Sequence, residues 1–109
     1  MKLPLYYSAT EGLTIDILVY FNSDDQLILD ACDSGTIVEE LRGDWDYEYS
    51  CIVEPSEVPL LAIALDVPTD DRMAILKALQ QQFSVRDAYT IFGQFLEAHN
   101  IPFKRFTWI

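Results

Sequence analysis

The chain has 109 residues, half of them hydrophobic, and its eighteen Asp and Glu against seven Lys and Arg give a net charge of -11. A chain of this length holds one hydrophobic core, its apolar content excludes wholesale disorder, and its charge repels a phosphate backbone, so direct nucleic-acid binding is disfavoured. Two cysteines, Cys32 and Cys51, are too few for the disulfide framework of a small secreted scaffold and form no zinc-type pair.

The first seven residues carry Lys2 and Pro4 and show no secretory leader. The longest unbroken apolar run, Ile17 to Phe21, falls far short of the roughly 20 residues of a membrane helix. A reduced, cytoplasmic protein without membrane contact is the expectation. Leu13, Ile15, Ile17, Val19 and Phe21 alternate with other residues, the period-2 signature of a half-buried strand. Asn22 to Asp25 turns the chain, Gln26 to Ala31 returns as a second strand, and Asp33-Ser34-Gly35 turns it again. Thr36 to Leu41 is read as a third strand, and Arg42-Gly43-Asp44 leads into a fourth from Trp45 to Val53. Such short turns imply an antiparallel meander, because parallel neighbours need long crossovers.

Beyond Glu54 the period changes to that of helices. Ser56 is placed to cap a helix running to Leu65, with Pro59 tolerated in its first turn. Thr69 is the expected cap of a second, in which Met73, Leu76, Leu79 and Phe83 recur at helical spacing. Ser84 with Asp87 reads as a capping box for a third, presenting Ala88, Ile91, Phe92, Phe95 and Leu96 and ending near Asn100. Pro102 to Ile109 is expected to form a final strand, with Phe103, Phe106 and Trp108 buried. The predicted architecture is therefore a single α+β domain: strands within 1–54, helices within 56–100, a last strand in 102–109, hence an antiparallel sheet of about five strands with roughly three helices on one face.

Charge follows this division. Residues 1–54 hold twelve acids against Lys2 and Arg42, whereas residues 55–109 hold six acids against five bases. The acidity thus belongs to the strands, and the helical part is nearly neutral.

Catalytic and metal motifs are weak. His99, the only histidine, lies in the last turn of a predicted helix, where it suits the unsatisfied carbonyls. Cys32 and Cys51 read as small buried strand residues. Asn22, Asp24, Gln26 and Asp33 faintly follow a calcium loop, but Leu27 stands where such a loop requires Gly. Asp44, Asp46 and Glu48 alternate along a strand and could approach Asp30 or Glu40 across the sheet, the raw material of a carboxylate hydrolase without an assignable cleft. No Gly-rich phosphate loop is present, so no cofactor, metal or catalytic set is assigned. Trp45, Tyr47 and Tyr49 share one face of their strand and are expected beneath the helices, leaving Asp46 and Glu48 in solvent.

Two segments, Asp44-Trp-Asp-Tyr-Glu-Tyr-Ser-Cys-Ile-Val-Glu-Pro-Ser-Glu-Val-Pro-Leu-Leu-Ala-Ile-Ala-Leu65 and Phe95-Leu-Glu-Ala-His-Asn-Ile-Pro-Phe-Lys-Arg-Phe-Thr-Trp108, resemble bacterial immunity proteins of polymorphic and contact-dependent growth-inhibition toxin systems. The resemblance implies a cytosolic, non-enzymatic inhibitor that binds a toxin domain. The charge fits such a role independently, since a toxin that attacks nucleic acid needs a cationic surface that carboxylates can occupy. The expected partner is a basic toxin domain, a nuclease, and the expected contacts are Asp24, Asp25, Asp30, Glu39, Asp44, Asp46 and Glu48. Rival readings are an acidic adaptor or nucleic-acid mimic that regulates a host enzyme, a small carboxylate hydrolase, and a scaffold whose acidity serves solubility.

Overall fold

In the computed structural model, which describes residues 1–108, nine elements follow one another. They are β1 (Lys2–Thr10), β2 (Leu13–Phe21), β3 (Leu27–Ser34), α1 (Thr36–Arg42), β4 (Asp46–Val53), α2 (Val58–Ala64), α3 (Arg72–Phe83), α4 (Ala88–Ala98) and β5 (Lys104–Trp108). The five strands form one sheet in the order β1-β2-β3-β4-β5, with every neighbouring pair antiparallel. The α+β architecture matches the sequence expectation, with four helices in place of three.

Alternation decides which side of the sheet is covered. Ile15, Ile17 and Val19 of β2, Leu27, Leu29 and Ala31 of β3, and Cys51 and Val53 of β4 form one buried cluster with Leu61 of α2, Ile75 and Leu79 of α3, and Phe92 and Leu96 of α4. Burying a side chain of that size contributes about 1.5–3 kcal/mol, which offsets the entropy of ordering the chain. Helix α3 lies over β1 and β2, and α4 over β3 and β4. Phe83 of α3 meets Phe92 and Phe95 of α4 edge-to-face at 5.4 Å, which locks the two helices together.

Two elements differ from expectation. Residues 36–41, expected as a strand, lie in helix α1. Gly35 precedes it at φ 122°, Gly43 closes it in the left-handed conformation, and Glu39 and Arg42 sit at the ends that the helix dipole favours. The β-branched run Thr36-Ile37-Val38 conceals this punctuation, and only Val38 is buried. Conversely, β1 is an edge strand that alternation alone does not reveal. A bulge between Pro4 and Tyr6 breaks the period, and Pro4 is tolerated because an edge strand need not donate on its outer side.

The helix caps shift as well. Glu57, not Ser56, precedes α2. Asp71, not Thr69, caps α3 by accepting the Ala74 N–H at 3.0 Å. Asp87 precedes α4 without a side-chain cap bond, while Ser84 Oγ donates to the Gln80 carbonyl. The last strand begins at Lys104 rather than Pro102, and Ile109 and the side chain of Trp108 lie outside the described residues. Phe103 packs against the core as expected, whereas Phe106 is half exposed.

Candidate functional site

The side of the sheet opposite the core cluster is largely open, with Ile28 its one buried member among the described residues, and strand register arranges it in rows. Lys2, Tyr20, Ile28, Ile52 and Lys104 pair across the first row, and Pro4, Leu18, Asp30, Ser50 and Phe106 across the second. The third contains Tyr7, Asp16, Cys32, Glu48 and Trp108, and the fourth Ala9, Thr14, Ser34 and Asp46. Directly opposed side chains in such rows stand roughly 5 Å apart. The face is therefore graded: lysines flank the row nearest the β2–β3 turn, and carboxylates fill the rows toward α1.

Local chemistry holds this arrangement in place. Asp30 accepts from Ser50 Oγ at 2.9 Å and from the Tyr20 hydroxyl at 3.4 Å, so neutral donors fix its carboxylate while its charge stays uncompensated. Partial burial and the adjacent Asp30 raise the Tyr20 phenol above its ordinary value, keeping it a donor. Cys32 is pushed up to about 11, first by burial and then by Glu48 and Asp46. Its thiol is therefore protonated at neutral pH and a poor nucleophile.

The basic residues do little to neutralise the acids. Lys2 lies over the Tyr20 ring at 4.4 Å, Arg42 over Tyr47 at 4.0 Å, and Arg105 over Tyr89 at 4.7 Å. Arg72 stacks on Phe21 at 4.7 Å and reaches Asp25 at 2.8 Å, the only ion pair among the described residues. Four of the seven cations thus lie on aromatic rings.

The seven expected contact residues separate into groups. Asp30, Asp46 and Glu48 lie on the uncovered face. Glu39 is exposed on α1 and Asp44 is exposed in the loop before β4, so both border the acidic end. Asp24 and Asp25 sit at the opposite end, in the turn that Asn22 organises by accepting the N–H groups of Asp24 and Gln26. Asp25, expected as an uncovered contact, is held by Arg72 instead, a pairing 47 residues apart that no local pattern announces. Glu40 lies on α1 and not on a strand beside Asp46, which removes it as a cross-sheet partner, whereas Asp30 does approach Glu48 across the sheet, the two lining one hollow.

Asp16 was missed, although its place between Ile15 and Ile17 assigns it to the outer face. The aromatic stripe also divides. Tyr49 packs edge-to-face on Tyr89 at 4.8 Å and donates to Asp33 at 2.9 Å, and burial raises its phenol well above the ordinary value. Trp45, expected beneath the helices, precedes β4 and is 56% exposed.

As chemistry, the face offers carboxylates to cations. A hollow lined by Asp30, Glu48, Ser50 and Phe106 measures about 240 Å³, below the 300–1,000 Å³ usual for small-molecule pockets. One atom each of Cys32, Asp46 and Glu48 falls within 4.8 Å of the others, a partly buried thiol beside two exposed carboxylates. His99 follows α4, its backbone N–H donating to the Phe95 carbonyl at 3.1 Å and its ring 4.4 Å from that of Phe95. Among the described residues no helix is long and apolar enough to cross a membrane. No family model, curated protein or solved structure matches the chain.

Proposed function

We propose that this protein is an immunity protein: a non-enzymatic, cytoplasmic inhibitor that binds a cognate toxin domain, a basic nuclease, and neutralises it by charge complementarity. One observation carries this reading. The carboxylates of Asp16, Asp30, Asp46 and Glu48 project from the uncovered sheet face, while the chain's own cations lie largely on aromatic rings. A surface prepared in this way attracts Lys and Arg of a partner and speeds encounter, contributing more to rate and selectivity than to affinity. An enzyme would need a nucleophile or an acid–base pair in a cleft. Burial and the neighbouring acids keep the thiol on this face protonated, the hollow is small, and its two carboxylates, Asp30 and Glu48, are what single substitution addresses.

Co-expression tests the proposal. An immunity gene is expected to lie beside its toxin gene, and cells producing that neighbour's toxin domain should survive with the wild-type protein, survival falling in graded steps as Asp30, Asp46 and Glu48 are changed to Asn or Gln. Equal death with and without the protein would overturn the reading. Abolition by one substitution alone, with toxin binding intact, would favour the hydrolase instead.

A further inference from the structure

We infer that the anchor of the interface is not the centre of the sheet but the shoulder formed by α1 and the loop into β4, and that it takes a cationic segment bearing an apolar side chain. The inference rests on the functional reading above and narrows it to one end of the acidic face.

The shoulder exposes large hydrophobic side chains outside the core, although Ile37 rests partly against Gly12. Ile37 is 41% exposed, Leu41 79% and Trp45 56%, while α1 buries only Val38. Ile37 and Leu41 are one helical turn apart and so share a face. The Trp45 backbone lies beside the start of the same helix, where its carbonyl accepts the Gly35 N–H at 3.0 Å. Single exposed hydrophobics are ordinary, but three within residues 37–45 form a local feature.

Its surroundings identify the occupant. Glu39, Glu40 and Asp44 lie in the same segment, all exposed, and none forms an ion pair among the described residues. Arg42, the one base there, lies over Tyr47. A second copy of this chain is a poor occupant, since a symmetric contact would oppose like-charged rims on molecules of net charge -11. A cationic segment satisfies both features: its Lys or Arg meet the rim, and its apolar group covers Trp45 and Leu41. An aromatic centre with a charged rim is the usual distribution of energy and specificity at interfaces.

The test uses the full-length ¹⁵N-labelled protein and two synthetic peptides of equal charge, one with Lys and Leu at helical spacing and one with Ser replacing Leu. The Lys/Leu peptide should shift amide resonances of residues 36–46 and bind at least tenfold more tightly than the Lys/Ser peptide at 0.15 M salt. Trp45→Ala or Leu41→Ser should weaken it about tenfold or more, whereas Glu97→Gln, exposed on α4, should change it less than twofold. All three side chains lie outside the core cluster, so retained spectral dispersion verifies the fold.

The inference is overturned by equal affinity of the two peptides, by no binding, by shifts centred on Tyr20 and Ile28, or by a wild-type dimer that Trp45→Ala dissolves. Neutralisation assays keep the two proposals apart. Full protection by the Trp45 and Leu41 variants would remove the shoulder and leave the inhibitor standing. A shoulder footprint without protection would leave a peptide-binding surface and remove the inhibitor.

Discussion

The two faces of one sheet are made from the same strands and obey different rules. On the covered face, Ile17, Leu29 and Cys51 are fully buried and their neighbours are chosen by volume. On the uncovered face, one residue along each strand, Asp16, Asp30 and Ser50 are only partly buried and their neighbours are chosen by hydrogen bonding and charge. The comparison shows that a small acidic domain can gather like charges without loss of fold, provided the energy of folding resides on the other side.

The sharpest way to break that comparison is to substitute neighbours. Leu29→Ala should cost about 2–5 kcal/mol by leaving a cavity in the core, whereas Asp30→Asn should stay within about 0.5 kcal/mol, both read from denaturant melts. Similar costs would mean that the outer face is structural.

Next is Gly35→Ala, expected to destabilise by about 2–3 kcal/mol, because φ is 122° and a Cβ would stand 2.5 Å from the Gly12 carbonyl oxygen. Thermal melts with Gly43→Ala as the control will isolate the collision, since a Cβ at Gly43 meets nothing within 4 Å.

The two thiols carry the comparison into pH. Burial pushes Cys51 from an ordinary value of 9.0 up to about 12. The folded state therefore keeps a proton that the unfolded state releases, so stability is full below pH 9 and is lost as pH rises from there toward 12. This group contributes a slope of up to about 1.4 kcal/mol per pH unit. Cys51→Ala should flatten that decline in melts recorded from pH 8 to 11. Cys32, on the outer face, should react with a thiol reagent at pH 8 roughly 100-fold more slowly than an ordinary cysteine, and Glu48→Gln should speed it.

The smallest expected effect is that of Asp25→Asn. Both partners of the Arg72–Asp25 pair are more than half exposed, so melts should shift by no more than about 1 kcal/mol and less in high salt.

How legible this was depended on the range of the controlling interaction. Strand β2 and helices α3 and α4 announce themselves by period, because burial on one side imposes it. The same period places Asp46 and Glu48 outward, so part of the acidic face is readable along β4. Strand β1 escaped because its bulge resets the alternation, and α1 because three β-branched residues outweighed the glycines around it. The Asp25–Arg72 pair and the exposure of Trp45 depend on where distant elements come to rest, and local spacing holds no record of either.

The strand order has a temporal consequence. Strands β1 to β3 adjoin through short turns, while β5 must find β4 after the chain has passed through α2, α3 and α4. Closing that long loop costs entropy before any pairing repays it, so β5 should dock late and its five residues should lead the exchange of amide hydrogens with solvent. Phe106, which walls the acidic hollow, rides on that strand, so the hollow is completed only when the last piece of sheet arrives.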